Sequence, residues 1–290
     1  MTFEFKNFLG QTVSFSSDTE PFFLLGLDCN SIGTSADTYQ PMGIHGQKTR
    51  TVLYNPRTIV ATFGIIGIED NRYSTKRLQK MWQEIGRIML PDHDGTITVE
   101  NEIGTYRITA RPLSLPDMEK VLISYGKFKV EFVADNPFWI STERFIKKIG
   151  QLQKKACYPL SWPLCYGTFE TEAIINNDTN LRLPMKIEIT NEAEFIKIIN
   201  LTTEEFIQIN KALGKNQTMT VDTEDCSVVI RTFDDNGNLI NEENANYRLT
   251  VDSTPDMMLD FGQNHIIIEN GVSGEGSVAT ITYNRRLVVI

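Results

Sequence analysis

Alternation of apolar and polar residues is the dominant pattern along the chain, and it predicts strands in both halves. In YGKFKVEFVA, every second residue from Phe128 to Ala134 is apolar, and the residues between them are mostly charged. A period of two with one apolar and one charged face is typical of a half-buried strand. The runs TIVATFGII, TITVE and TYRITA alternate in the same way, and the short polar ENEIG segment between the last two predicts a hairpin loop.

One segment of the first half follows a helical period instead. The stretch STKRLQKMWQEIGRIML places apolar side chains on one stripe, at Leu78, Met81, Trp82, Ile85, Ile88 and Met89. Because Ser74 is a good N-cap residue, the pattern predicts a helix from about residue 75 to residue 89. An apolar stripe at this spacing favours core packing over a cofactor site.

The second half consists of short alternating runs separated by turn residues. The runs are LPMKIEIT, EFIKIIN, QTMTVDT, CSVVIRT, HIIIE and VATITYN. DDNG, from Asp234 to Gly237, contains Asn-Gly and predicts a hairpin. TTEEFIQINKALG is ambiguous, because Thr202 and Glu205 can form the capping box of a helix while EFIQIN also alternates as a strand does. Strands at this spacing suggest a β-sandwich.

Charge and composition narrow the class of protein. The chain of 290 residues has a net charge of −9, of which −2 falls in residues 1–140 and −7 in residues 141–290. Neither half has the basic excess of a nucleic-acid binder. No apolar run approaches the roughly 18 residues of a membrane span, which argues against membrane insertion. The N-terminus lacks the basic and apolar segments of a signal peptide, so we expect assembly in a cytoplasm.

Reactive groups are few and scattered. The histidines are His45, His93 and His265, and none lies in a recognisable catalytic or metal-binding motif. DHDG, from Asp92 to Gly95, lacks the further carboxylates of a calcium loop and is better interpreted as a turn between helix and strand. The cysteines, Cys29, Cys157, Cys165 and Cys226, fit reduced thiols better than disulfides or a zinc site. The sequence therefore predicts no catalytic, cofactor-binding or metal-binding residues.

A sharp junction lies almost halfway along the chain, in VEFVADNPFW. Asp135 and Pro137 end the strand, since proline cannot donate to a ladder and holds the preceding residue extended. Phe138 and Trp139 follow at once, and we expect them to fix the chain to the first domain where it leaves. Residues 143–166 are polar, basic and marked by Pro159 and Pro163, a composition that favours a connector.

The junction FKVEFVADNPFW resembles the end of the first domain in the siphophage distal tail protein family, called Dit. In that family a strand rich in Phe and Val runs into an Asp-x-Pro-aromatic turn, which corresponds to Asp135, Pro137 and Phe138. The segments LPMKIEIT, IINLTTEEF, TMTVDTED, MMLDFGQNHIII and VATITYNRRLVV follow in the order expected of the family's second domain. Asn176–Asn180 departs from the pattern, because the family usually has a glycine there. The resemblance favours a strand for EFIQIN.

The resemblance implies a mainly β protein of two domains. Residues 1–142 correspond to a β-rich, ring-forming domain with one α-helix, residues 143–166 to a linker, and residues 167–290 to a galectin-like β-sandwich. We expect the first domain to close a core without the second.

The resemblance also implies a non-enzymatic protein of the virion tail tip. Family members form a hexameric ring, single or stacked as two, at the distal end of a long non-contractile phage tail. Such a ring joins the tail tube protein to the tail-associated hub protein and carries receptor-binding or side-fibre proteins. DNA passes through its lumen without specific binding, which an acidic surface favours. Two alternatives remain open from the sequence: a free carbohydrate-binding β-sandwich protein using Trp162, and a tail-associated cell-wall hydrolase.

Overall fold

The computed structural model describes residues 1–18, 21–43, 45–69, 72–120, 124–150, 152–157, 165–169, 172–190, 192–269 and 278–290. They divide into two compact units. The first unit comprises Met1–Thr142 together with Leu287–Ile290, and the second unit comprises Glu143–Arg286. The mainly β class with one α-helix in the first half is confirmed for the part of the chain described.

Strands of the first unit account for most of its residues. They are β1 (Thr2–Lys6), β2 (Thr12–Ser16), β3 (Phe22–Asp28), β4 (Thr34–Tyr39), β5 (Lys48–Tyr54), β6 (Arg57–Ile66), β7 (Ile68–Glu69), β8 (Arg72–Tyr73), β9 (Gly95–Glu100), β10 (Thr105–Pro112), β11 (Asp117–Lys120), β12 (Tyr125–Ala134) and the start of β13 (Trp139–Ile149). The helix α1 (Thr75–Ile88) lies between β8 and β9.

The main strands of the first unit close into a barrel. Their order is β12-β6-β3-β2-β1-β9-β10, and β10 pairs again with β12 through Arg111↔Val133 and Pro112↔Phe132. The pairs are antiparallel except for β2 and β3, which meet in parallel at Ser16↔Phe23. Closure removes the free edges that an open sheet would leave.

Phenylalanine rings fill the barrel. Phe15 and Phe63 stack with their ring centroids 4.0 Å apart, and Phe3 lies 5.0 Å from Phe63. These residues occupy alternate positions of their strands, so the period of two places them on the inner face. The alternation in the sequence therefore identified the buried side of β6 and β12.

Helix α1 packs onto this core through the predicted stripe. Leu78, Met81 and Ile85 are buried, and the Trp82 ring meets Phe128 at 5.1 Å. The helix begins after Ser74, whose Oγ accepts a hydrogen bond from the Arg77 N–H at 3.3 Å. The predicted helix and its N-cap are confirmed, and the C-terminal boundary differs by one residue.

The second unit contains two sheets that share one core. Its strands are the remainder of β13, then β14 (Leu152–Cys157), β15 (Cys165–Phe169), β16 (Glu172–Asn177), β17 (Met185–Thr190), β18 (Ile196–Asn200), β19 (Glu205–Ile209), β20 (Gln217–Asp222), β21 (Ser227–Phe233), β22 (Leu239–Asn244), β23 (Gly262–Glu269) and β24 (Val278–Leu287), with a 3-10 turn at Asn246–Arg248. One sheet has the order β13-β24-β17-β20-β21-β22, and the other has the order β16-β23-β18-β19. β14 and β15 pair with each other.

Isoleucines dominate the core of the second unit. Inward positions of β17, β18 and β23 hold Ile187, Ile189, Ile198 and Ile266, each fully buried. EFIQIN forms strand β19, as the resemblance implied, because Ile207 and Ile209 fill the same core at alternate positions. The helical alternative with its capping box is wrong.

Local turn signals are confirmed in both units. ENEIG joins β9 to β10, and the Asn101 N–H donates to the Gly104 carbonyl at 3.0 Å. DDNG joins β21 to β22, where Gly237 has a φ of +83°, a left-handed conformation that glycine adopts without strain. Residues 143–149, predicted as the start of a linker, continue strand β13.

Candidate functional site

A hairpin of the first unit stands apart from the barrel. β4 and β5 pair only with each other among the strands described, although the chain on either side, β3 and β6, belongs to the barrel wall. Every residue of both strands is exposed. An isolated two-stranded hairpin is marginally stable in water, so this one needs a further surface to pack on.

The base of the hairpin is closely tied. The Asn55 N–H donates to the Gly33 carbonyl at 2.9 Å, and the Ser35 hydroxyl donates to Asn55 Oδ1 at 2.6 Å. Near the tip, the Arg50 guanidinium lies 4.7 Å from the centroid of the Tyr39 ring. These contacts fix the base of the hairpin and bring two side chains together near its tip.

Apolar side chains on this hairpin face solvent. Val52 is 53% exposed and Leu53 is 64% exposed, and since they are adjacent on β5 they lie on opposite faces of the ribbon. Tyr54 meets the Phe138 ring at a centroid distance of 5.4 Å, which connects the hairpin base to the predicted junction. The arrangement can supply both backbone edges and apolar anchors to another polypeptide.

The predicted junction residues lie close together but have different environments. Asp135 is exposed and accepts a hydrogen bond from the Arg111 guanidinium at 3.2 Å. Pro137 is buried, Phe138 is partly buried, and Trp139 is fully buried in the core of the first unit. The Trp139 indole N–H donates to the Cys29 carbonyl at 3.4 Å. Whether these residues position the rest of the chain stays a prediction.

The Cys29 carbonyl takes part in a second contact that the sequence did not reveal. Arg57 is fully buried, and its guanidinium donates to the Cys29 carbonyl at 2.7 Å and to the Val288 carbonyl at 2.5 Å. Asn30 completes the contact, since its Oδ1 accepts from the Ile290 N–H at 3.1 Å and its Nδ2 donates to the Ile290 carbonyl at 3.3 Å. We call Arg57, Asn30 and Leu287–Ile290 the C-terminal clasp.

Burial governs the electrostatics of the clasp. Desolvation lowers the pKa of Arg57, and the Coulomb interaction with Cys29 acts in the opposite direction. Desolvation also raises the pKa of the Cys29 thiol, against the effect of Arg57, so Cys29 is a buried protonated thiol at neutral pH. This chemistry suits a structural contact rather than a nucleophile.

The other segments with possible chemistry form turns. His93 of DHDG packs its ring 4.1 Å from that of Phe8, and Gly95 of that segment begins β9. His45 and His265 lie far apart in the sequence, in the loop between β4 and β5 and in β23. Within the described ranges, no group of three or more His, Cys, Asp or Glu side chains could hold a metal ion. Trp162, the candidate sugar-binding residue, lies outside the described residues.

Two features were missed by the sequence analysis. The hairpin gave no apolar alternation, because both of its faces are exposed, although the TVLY run was a usable strand signal. The return of Leu287–Ile290 to the first unit had no local signal at all. No helix in the described part of the chain has the length and apolarity that spanning a membrane requires.

Two family models match the chain in succession. A phage tail protein RIFT-related domain matches residues 13–134. The C-terminal domain of a siphovirus-type tail component matches residues 177–287. A comparison with curated protein sequences finds no match.

Solved structures share the fold over nearly the whole chain. The crystal structure of SPP1 Dit (gp 19.1), described as a paradigm of the hub adsorption apparatus in phages infecting Gram-positive bacteria, superposes with a TM-score of 0.67 at 12% identity. That alignment covers 98% of this chain and 99% of the other. Chains of the phage P2 baseplate in its activated conformation, with Ca or with Sr, give TM-scores of 0.53 and 0.54 at 10% and 11% identity. Each of these covers 100% of this chain and 99% of the other.

The order of the two domain models agrees with the order of motifs along the sequence, and together they span most of the chain. The barrel of the first unit and the two sheets of the second unit are shared with SPP1 Dit over both chain lengths. The chain belongs to the siphophage distal tail protein family, and it is a structural component of a phage tail.

Proposed function

We propose that the protein forms a hexameric ring at the distal end of a long non-contractile phage tail. The ring would connect the tail tube protein to the tail-associated hub protein and act without catalysis. The observation that carries this proposal is the hairpin of β4 and β5, in which every residue of the two strands is exposed. In a ring, the contacts are heterologous, so each copy presents one surface that packs on a different surface of the next copy.

The hairpin is suited to be the surface that each copy packs onto its neighbour. It has two unpaired strand edges, exposed Val52 and Leu53, and a base fixed by the hydrogen bonds between Gly33, Ser35 and Asn55. Packing it against a neighbouring barrel would bury apolar surface at roughly 25 cal/mol per Å² and satisfy edge groups at the same time. A monomer would leave these groups in water.

Outward docking is assigned to the second unit. It carries most of the acidic excess, and its surface exposes Tyr247, Val251 and Phe261. Aromatic residues are enriched in protein interfaces, and charge complementarity favours association with basic partners. Receptor-binding or side-fibre proteins are the partners proposed for this surface. The acidic net charge also favours a lumen through which DNA passes without specific binding.

A hairpin deletion tests the ring. Because Gly33 and Asn55 are hydrogen-bonded, residues 34–54 can be replaced by an Asn-Gly turn without moving the barrel strands. We expect native mass spectrometry to give hexamers, or two stacked hexamers, for the full chain and monomers for the deletion variant. A full chain that stays monomeric at micromolar concentration, with and without tail tube and hub proteins, would refute the proposal.

Point variants supply a matched comparison. Val52→Ser with Leu53→Ser removes two exposed apolar side chains from the hairpin, and Leu239→Ser with Ile240→Ser removes two from β22 of the second unit. We expect the first pair to raise the concentration needed for half-assembly by about tenfold, an effect of about 1.4 kcal/mol. The second pair should leave assembly unchanged. Equal behaviour of the two pairs would show that the hairpin is not an assembly contact.

A further inference from the structure

The outer face of α1 carries a basic stripe in an otherwise acidic protein. Lys76, Arg77, Lys80 and Arg87 are all exposed, and Glu84 is the one acidic residue of the helix. At 100° per residue, Lys76, Lys80 and Arg87 fall within a sector of about 40°, directly opposite the buried side chains Leu78 and Ile85. The stripe runs about 16 Å along the helix, at 1.5 Å per residue.

These four cations have no counter-ion in the described part of the chain. The ion pairs there involve Arg111, Lys129, Arg182, Lys211, Arg231, Arg285 and Arg286. None involves a residue of α1, and Lys80 makes no ion pair even with Glu84 at the i+4 position. A row of unpaired like charges on one helix face repels itself, so a partner with negative charge would relieve it.

The acidic surface of the same unit that best matches this stripe lies at the β9–β10 turn. Glu100 and Glu102 are exposed and have no ion pair among the described residues. Ile103, in the same turn, is 84% exposed. Two hydrogen bonds hold the turn, since Asn101 Oδ1 accepts from the N–H groups of Ile103 and Gly104 at 2.9 and 3.0 Å. An apolar residue beside carboxylates gives a core and a polar rim, as in protein interfaces.

Four other carboxylates of the first unit already lie near cations. Asp94 and Asp135 both lie near the Arg111 guanidinium, at 3.7 and 3.2 Å. On β11, Asp117 and Glu119 stand opposite the lysines of β12 in the strand register. These groups have less to gain from a new cation than the carboxylates of the β9–β10 turn.

We propose that the basic stripe of α1 binds the β9–β10 turn of a second copy of this chain. The contact rests on the proposed ring, since a stripe on one surface and a turn on another form a heterologous pair. A protein partner is favoured over nucleic acid, because the first unit as a whole carries no basic excess. Electrostatic contacts of this kind set the register and rate of association more than its final affinity.

Charge reversal tests the contact on the full chain. Lys76→Glu with Lys80→Glu reverses the stripe, and since lysine and glutamate have similar helix propensities, α1 should stay folded, as circular dichroism can verify. We expect the concentration for half-assembly, measured by native mass spectrometry or light scattering, to rise at least tenfold. The control is Lys186→Glu with Lys215→Glu, which makes the same charge change at exposed lysines of the second unit and should assemble normally.

The complementary variant makes the test specific. Glu100→Lys with Glu102→Lys should weaken assembly to a similar extent. Mixing it with the stripe variant should restore mixed oligomers in which the two variants alternate, because each stripe then meets a turn of opposite charge. Raising the salt concentration from 0.05 to 0.5 M should weaken wild-type assembly, because screening shortens the range of these interactions.

The outcomes separate this inference from the ring itself. Normal assembly of the stripe variant would overturn the contact and leave the proposed ring intact. Failure of the mixture to assemble would overturn the pairing of the stripe with the β9–β10 turn. Loss of binding to duplex DNA in the stripe variant, with assembly unchanged, would assign the stripe to nucleic acid instead. A wild-type chain that never assembles would refute the proposed function and this contact together.

Discussion

Trp139 is fully buried although it directly follows a turn that ends strand β12. The Asp-Asn-Pro turn stops the ladder, and the new strand β13 begins at Trp139 itself with the side chain in the barrel core. The two large aromatics after the turn therefore make different contacts: Trp139 completes a core, while Phe138 contacts Tyr54 at the base of the hairpin.

Truncation of this residue should destabilise the first unit. We expect Trp139→Ala to lower the free energy of unfolding by roughly 3–5 kcal/mol, because it leaves a cavity and removes the N–H donor to the Cys29 carbonyl. Phe138→Ala, at the neighbouring and only partly buried position, should cost less. Denaturant unfolding of both variants measures the difference, and a loss below about 1 kcal/mol for Trp139→Ala would contradict the packing seen here.

Arg57 shows the limit of sequence reasoning at this scale. Arg57 begins the alternating strand β6, on the same face as the buried Ile59 and Phe63, and arginine is almost never fully buried without partners. Its partner carbonyls belong to Cys29 and to Val288, the latter 231 residues away in the sequence. The period of two predicts the inward face for Arg57 as it does for Phe63 and Phe132, but it cannot reveal acceptor carbonyls that lie so far away in the sequence.

At the scale of elements, the sequence predicts those helices and turns that have a local signal in their own residues. α1 combines an apolar stripe with a capping serine, and the DDNG turn combines Asn-Gly with flanking strands, so both were predictable. EFIQIN could not be settled by its own pattern, because its apolar residues satisfy both periods. Its burial against the isoleucines of β18 and β23 decides for a strand. The hairpin of β4 and β5 lacked an inner face to show alternation.

The DDNG turn should make stability depend on pH. The Asp234 carboxylate accepts hydrogen bonds from the Asn238 side chain at 3.0 Å and from the Asn238 N–H at 2.7 Å, and these lower its pKa. Because the folded state favours the charged form, this stabilisation is present above the usual carboxyl range and is lost as pH falls through the lowered pKa. Asp234→Ala should therefore destabilise the second unit at pH 7, and the difference should shrink below about pH 4.

Thermal unfolding across pH measures this dependence. Asp252→Ala serves as the control, since Asp252 is exposed and does not lie in the turn. It should change the melting temperature little at any pH. A difference for Asp234→Ala that persists unchanged at low pH would assign its effect to turn geometry instead of to the charge.

At the scale of the whole molecule, the first unit is discontinuous in sequence. Residues 1–142 contain the barrel and α1, but Leu287–Ile290 also belong to this unit. Leu287 and Ile290 pack against its core cluster, and Val288 supplies a carbonyl to Arg57. The helix stripe and the alternating strands of the first half, together with the polar and proline-marked connector after it, led us to expect that residues 1–140 close a core without help. None of these patterns indicates that four residues from the C-terminus return to the same unit.

The C-terminal clasp should therefore decide how stable an isolated first unit is. In a fragment of residues 1–142, the buried Arg57 loses its Val288 acceptor, and a buried charged donor left without one acceptor costs more than the hydrogen bond itself contributed. The apolar surface that Leu287 and Ile290 cover is exposed as well.

A second fragment keeps the clasp by joining residue 142 to residue 287 through a Gly-Ser linker of about 12 residues, which spans roughly 20 Å. We expect this clasped fragment to be more stable than the simple one by on the order of 2 kcal/mol in denaturant unfolding. Leu287→Ser with Ile290→Ser in the clasped fragment is the control, and it should remove most of the gain. Equal stability of the two fragments would show that the barrel closes its core without the C-terminal residues, and that Arg57 finds its second acceptor elsewhere.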